Sequence, residues 1–585
     1  MAATYTGQTV TVQMLLDANA DVNATNSYGN TALIAAGSSG DAACLQTLIN
    51  AKADVGVASR YGNSALITAA IHGNPLCLQL LLDAKAEIDT KNEDGDTALI
   101  VAARNGHTEC LQLLLDAGAD INAFNLNGDT ALITGVWDVQ IQCVQALLAA
   151  KANIDVANNN GDTAFTLAAS EGHAACLWML LDAKADIYTN TVDGDTALLL
   201  AARNGHRGCV QMLIDAKTGI DTANDASETA LIVASWQGHI ECLELLLESK
   251  ADVSVVDQYG ETALTLTADQ GHTECLQPLL DAKADVNATR KNGDTALISA
   301  SLNGHTECLQ LLIDAKADLD TKNENGDTAL ITAAGNGNTE CLQLLLDATA
   351  DIEIKNANGA TALILAAREG RTECLQLLLD AKADITATDL GGNIASMWAA
   401  QRGYVECWKL LIDAKADVNA TNMNGDPALL GAAQNGHISS LQLLLDAKAD
   451  VNAKNKNGLP STVYAIFNGH TACLQALLDA KADITTEQNC ILALSCAVRR
   501  GVTECLQMLL DAKANISAAN NDGKTALMWA ASEGQTECLR MLLDAKAKVN
   551  VTDTNCATGL IQAALSVSEG CGWGGVQTHS ARDKE

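Results

Sequence analysis

Basic residues, aromatics and long apolar runs are all scarce in this chain of 585 residues, and each shortage excludes something. With 36 lysines and arginines against 71 acids, the formal net charge of −35 repels phosphate backbones and anionic lipid surfaces. Nucleic-acid affinity comes largely from cations that neutralise phosphates, so nucleic acid is not an expected partner. A field this acidic steers basic proteins or peptides instead. No stretch approaches the roughly 18 consecutive apolar residues of a membrane-spanning helix, so no membrane insertion is expected. The opening residues MAATYTGQTVTVQMLL carry neither a basic leader nor a long apolar core, so no export signal is expected. Aromatics are 3% of residues, which leaves alanine and leucine to build the core from small parts. The 19 cysteines are too diluted for a disulfide scaffold, and sequons such as Asn23-Ala24-Thr25 would risk glycosylation in a secreted protein. A reducing cytoplasm or nucleus is expected.

What is present is repetition. The tract GDTAL begins at Gly95, Gly128, Gly194, Gly293 and Gly326, and variants of it begin at Gly29, Gly62, Gly161, Gly260, Gly359, Gly425 and Gly523, giving a period of 33 residues. A second landmark, LLDAKAD and its variants, keeps the same step from Asp17 to Asp479; one unit then shortens by a residue, within ITTEQNCILALS, and puts the next aspartates at Asp511 and Asp544.

Each period reads as two short helices and an extended turn. In the unit from Gly95, Thr97 caps the first helix, Leu99, Ile100, Ala102 and Ala103 form its apolar face, and Asn105-Gly106 ends it. Glu109 favours the start of a second helix, where Cys110, Leu111, Leu114 and Leu115 recur at helical spacing and Gln112 faces out. The following AGADINAFNLNGD alternates at Ile121 and Ala123, as a hairpin-like finger would. Helices this short are marginal alone and must bury their faces on neighbouring pairs, which predicts an all-α repeat solenoid.

These residues resemble the ankyrin repeats: the 33-residue period, the Gly-x-Thr-x-Leu start of helix one, the Ala-Ala-x-x-Gly-His corner, the Leu-Leu-Leu helix two, and the Ala-Asp-Val-Asn-Ala finger at residues 20–24, 284–288 and 416–420. The resemblance implies an ankyrin-type stack of helix-turn-helix units with hairpin-like fingers. We expect a partial repeat over residues 1–28 (helix two and finger), sixteen repeats over 29–555 forming one solenoid, a second partial repeat over 556–570, and a disordered tail over 571–585. The ends read either as half-repeat caps or as the edges of a longer array. The family's Thr-Pro-Leu-His reads Thr-Ala-Leu-Ile here, as at Thr97–Ile100, so the buttressing histidine is replaced by an apolar contact. Its glycine after helix two survives at Gly118 but is lysine at Lys85, Lys184, Lys283 and eleven equivalents. In a left-handed backbone each lysine costs roughly 1 kcal/mol relative to glycine, partly offset by its charge at a helix C-terminus. Flanked by acids, these lysines form a balanced stripe and not a phosphate track. Pro278, inside helix two of its unit, is expected to weaken that unit.

The pentapeptide GHTEC, at residues 106–110, 271–275 and 304–308, carries side-chain types used by nucleophilic and zinc sites. Other units place Asn338, Arg371, Tyr404, Val502 or Gln535 at the histidine position, and Ala43, Leu76, Gln142, Ala175 or Gly208 at the glutamate, so neither identity is required. The cysteine recurs at fifteen positions from Cys44 to Cys538, on the apolar face of helix two, where it acts as a small hydrophobe. A ladder translates ligands where a metal needs them to converge. We expect no metal, no cofactor and no catalytic residues; Cys490, Cys496, Cys556 and Cys571 lie off the ladder, the last expected to be exposed.

The resemblance implies that protein partners are held on a concave face made of finger tips and helix one. Binding residues are then sought where the chain breaks its own repeat. The slot of Arg104 holds Trp137, Trp236, Arg203, Arg368, Phe467 and Arg499; Trp398 and Trp529 replace the aliphatic Val101 slot. Finger tips carry Tyr28, Arg60, Tyr61 and Tyr259. Tryptophan and arginine are the types most enriched in binding hot spots. At Trp137-Asp138-Val139-Gln140 the corner loses its glycine and is expected to be reshaped. Asn23, Asn287, Asn419 and Asn452 are similar to asparagines hydroxylated in some ankyrin proteins. The expected function is a monomeric, non-enzymatic scaffold or adaptor for proteins or peptides, basic ones in particular. The alternative is the repeat segment of a larger enzyme, receptor or ubiquitin-ligase adaptor.

Overall fold

A computed structural model describes residues 8–568; Cys571 and the tail over 571–585 lie outside the described residues. Sixteen helix pairs follow one another, from Ala32–Ser39 with Ala42–Asn50 to Ala526–Ser532 with Thr536–Asp544. A lone helix, Thr9–Asp17, precedes them, and Gly559–Ser568 follows. Contacts gather the chain into two compact units, one running to Lys291 and including Asp314–Lys316, the other formed by Asn292–Ile313 and the residues from Ala317 onward. Each is a stack of helix pairs in which helix one packs on the next helix one more closely than helix two on the next helix two.

The unit from Gly95 shows why. The Thr97 hydroxyl accepts the backbone N–H of Ile100 at 3.3 Å and starts helix Ala98–Arg104, whose residues 98–103 are all buried. An all-buried helix one made of alanines and short aliphatics explains the close approach of successive first helices. Helix two, Thr108–Asp116, buries only Cys110, Leu111 and Leu114. Leu115, expected on the same face, is half-buried at its edge. Gln112 faces out and donates to Asp116 at 2.8 Å.

Lys52, Lys85, Lys151 and their equivalents hold a left-handed backbone after helix two, with φ between 60 and 71°. Gly118, at the same position, has φ +86° and open space where a Cβ would stand, so only the backbone torsion opposes lysine there. Helix Thr273–Asp281 continues through Pro278 without a break. The hairpin-like fingers appear as turns closed by single antiparallel bridges, such as Phe124 with Thr130.

The corner histidine reaches further than expected. The ring of His107 crosses to the preceding unit, where Nε2 bonds the carbonyl of Ile71 at 3.0 Å and Nδ1 covers Gly73. His239 does the same to Arg203 and His272 to Trp236, both at 3.0 Å; Asn338 and Arg371 reach Leu302 and Gly335. In these units the side chain satisfies a helix-one carbonyl left open at the helix C-terminus, a bond that Val502 at the same position cannot make.

Candidate functional site

The fingers are ordered by an asparagine three residues before the repeat glycine and an aspartate directly after it. The Asn92 side-chain oxygen accepts the backbone N–H of Asp94 and of Asp96 at 3.0 and 2.8 Å, an Asx turn that fixes the finger tip. In many units the finger amide then donates to the acid of the preceding finger: Asn125 to Asp96 at 3.0 Å, Asn158 to Asp129 at 2.9 Å, Asn224 to Asp195 at 2.7 Å, and likewise Asn323, Asn356 and Asn455. A row of partly buried carboxylates thus runs between the fingers and helix one.

Two of these acids are neutralised from within. Asp96 is 1% exposed and takes a two-point contact from Arg104, eight residues on, at 2.6 and 3.0 Å. Burial alone would lower the Arg104 pKa, but the hydrogen bonds and charge of Asp96, with Asp138 and Asp129 beyond, raise it. Arg203 grips Asp195 in the same way and also bonds Glu228 at 3.1 Å. Between these rungs lie Asp129 and Asp162, whose positions eight residues on hold Trp137 and Ser170.

An open cleft of about 560 Å³ is found there, walled by Arg104, Asp129, Ile133, Trp137, Asp138 and Asp162 among others. Trp137 ends helix Ala131–Trp137 and is 57% exposed. The corner after it keeps the frame, contrary to the expected reshaping: the N–H groups of Val139 and Gln140 bond the carbonyls of Val136 and Gly135 as Gly106 and His107 bond theirs. To do so Val139 adopts φ 57°, a left-handed torsion that a β-branched residue strongly resists and that costs on the order of 1–3 kcal/mol. The backbone bonds within the corner hold the chain path, and valine follows it.

A smaller cleft of about 230 Å³ brings Trp236, 43% exposed, beside Tyr259. Its acids Glu261 and Asp269 are already held by Arg290, at 3.1 and 2.8 Å.

The family described as Ankyrin repeats (3 copies) matches the chain in overlapping segments from residue 1 to 389 and from 396 to 553. The chain belongs to the ankyrin-repeat family. No curated protein sequence matches it. The matched segments, like the helix pairs, leave nearly all of the described chain as ankyrin repeat.

Within this ankyrin-repeat frame the remaining candidates fall into separate environments. Tyr28, Arg60 and Tyr61 are exposed at neighbouring finger tips, joined where the Arg60 N–H bonds the Tyr28 carbonyl. Arg104 and Arg203 face the fingers but are engaged in the ion pairs above. Arg368 pairs with Glu369 at 2.8 Å and stands 5.8 Å from the centroid of Trp398, which is half-buried and donates to Asp389 at 2.8 Å. Trp529 is half-buried between Arg499 and Lys524, and Phe467 carries Arg500 over its ring at 4.5 Å. The asparagines considered for hydroxylation are exposed, and the side-chain oxygens of Asn23, Asn419 and Asn452 accept the backbone N–H of Asp54, Asp450 and Asp483 in the next finger.

The ladder cysteines are buried, and burial pushes thiols such as Cys77, Cys110 and Cys209 up to about 11, away from the thiolate that chemistry requires. Cys490 is buried and Cys556 exposed. Among the described residues no group of three or more His, Cys, Asp or Glu is arranged to hold a metal ion, and no helix is long and apolar enough to cross a membrane. Phe124, Trp178 and Tyr188 are exposed aromatics that escaped sequence reasoning; Trp178, 59% exposed on helix Ala174–Asp182, stands where other units place the outward Gln112. Its signal was present as a break in that glutamine column.

Proposed function

We propose that the chain is a non-enzymatic interaction scaffold that holds a protein partner on its finger-side face, centred on Trp137 and extended by Trp236 and Tyr259. The observation that carries this reading is the exposed indole of Trp137, held at a rigid helix end beside a strained corner and opening onto a cleft. Ankyrin repeats imply protein–protein interaction, and a large rigid aromatic beside a cavity is the usual anchor of such an interface. A reducing cytoplasm or nucleus suits its nineteen cysteines. The finger-tip residues Tyr28, Arg60 and Tyr61 form an outlying patch, and Arg368, Trp398, Phe467 and Trp529 are secondary contacts because their rings or charges already have partners within the chain.

The test is quantitative affinity capture from reducing lysate with the full chain and its Trp137→Ala and Trp236→Ala variants. Trp137→Ala is expected to lose at least about tenfold of the captured partner, the effect of a central aromatic hot spot. A Trp178→Ala control, on the outer helices, is expected to retain it. Equal capture by wild type and both finger-side variants removes the proposed site.

A further inference from the structure

We propose that the Trp137 cleft is an arginine-binding site, its ligand the guanidinium of a basic peptide segment of the partner, seated against Asp162 and Asp129 and stacked on Trp137. The inference rests on the finger-side reading above and gives it a ligand chemistry.

The chain itself supplies the template. At Asp96 and Asp195 an arginine eight residues further on closes the carboxylate with two hydrogen bonds, and an asparagine from the next finger completes the acid's shell. The two rungs between them keep the acids and lose the arginines. Asn158 still donates to Asp129, but the equivalent residue facing Asp162 is Thr191, and no basic side chain of the described residues pairs with either acid. Burial raises the Asp162 pKa, with the charges of Asp129, Asp195 and Glu171 adding to it, and no cation opposes them. The carboxylate is thus short of the partner that Asp96 and Asp195 have.

Asp294, Asp327 and Asp426 also lack the arginine, with Leu302, Gly335 and Gln434 eight residues on, so the indole of Trp137 and not the gap alone singles out this cleft. Where Glu261 and Asp269 come together, Arg290 arrives from the following finger and fills the place. At Trp137 the arginine slot is taken by an exposed indole instead, which leaves the acids open and offers a ring face to a cation. Arg104 forms one wall, but its charge is committed to Asp96. A planar guanidinium suits this arrangement better than an ammonium, because it can bond a carboxylate in two places while lying on a ring. The net charge of −35 favours approach of such a segment.

The experiment measures binding of a fluorescein-labelled Gly-Ser-Arg-Gly-Ser peptide to the full chain by anisotropy, with citrulline and lysine versions as probes of charge and shape. Citrulline is expected to bind at least about tenfold more weakly than arginine, and lysine more weakly than arginine. Asp162→Asn is expected to lose at least about tenfold. Ser170→Arg, which places the chain's own arginine eight residues after Asp162, should abolish binding while leaving the thermal midpoint no lower than that of wild type. Asp182→Asn, an exposed outer-helix change that shifts the net charge as Asp162→Asn does, should bind as wild type. Equal binding of the arginine and citrulline peptides, equal binding of the lysine peptide, or wild-type affinity in Asp162→Asn overturns the inference. If the arginine peptide fails while Trp137→Ala still loses its lysate partner, the arginine site alone falls. If the peptide binds as expected but capture is unchanged by Trp137→Ala, the scaffold reading falls.

Discussion

Asp96→Ala is expected to lower the stability of its stack by about 3 kcal/mol in equilibrium unfolding with guanidinium chloride. Removing one partner of a fully buried ion pair costs roughly 3–5 kcal/mol, mostly because the other charge is left without compensation. Arg104 keeps 37% of its side chain exposed, so water recovers part of that cost. The buried Asn125 amide loses its acceptor in the same substitution, which adds to it. The diagnostic result is non-additive: Asp96→Ala combined with Arg104→Ala should be more stable than Asp96→Ala alone. Additive losses would mean that the pair is a surface contact of small value and that the carboxylate row has no structural weight.

Gly73→Ala is expected to cost about 2–3 kcal/mol, against about 1 kcal/mol for Gly118→Ala, measured in the same way. Both glycines have left-handed torsions, φ +67° and +86°. They differ in what a methyl group would meet: nothing within 4 Å at Gly118, but the Nδ1 of His107 at 2.4 Å at Gly73. The imidazole must then move and release the Ile71 carbonyl, so the difference between the two variants measures the inter-unit histidine contact. In a His107→Ala background the Gly73→Ala penalty should fall to that of Gly118→Ala. Equal penalties in the wild-type background would show that the corner histidine contributes nothing between units.

The helix pairs were legible because their cause is local and periodic: a threonine cap, six small or aliphatic residues, a glycine, and a leucine face, restated every 33 residues. Contacts that cross between units were not. His107 bonds a carbonyl 36 residues back and Asn125 an acid 29 residues back, and neither separation announces itself in one repeat. Both residues recur in register, so the signal existed as a column, but the partner's identity needed coordinates. Arginine's enrichment in hot spots made Arg104 and Arg203 candidates; the acid eight residues earlier decides that each first serves the fold. At Val139 the expectation failed in the opposite direction, because the corner's own backbone bonds keep its path even where its residue is ill-suited to the torsion. Trp137 stood out by sequence as an interruption, and the structure adds what surrounds it: two acids that form no ion pair among the described residues, and an open cleft.

The proposed holding of partners on the finger-side face at Trp137 can be read out at a single residue. Its most direct test is site-specific photo-crosslinking in reducing lysate, with benzoylphenylalanine placed at position 137 in one protein and at position 112, on the outward side of helix two, in another. A discrete adduct is expected from position 137 and none of that mass from position 112. The same adduct from both positions, or from 112 alone, would contradict it.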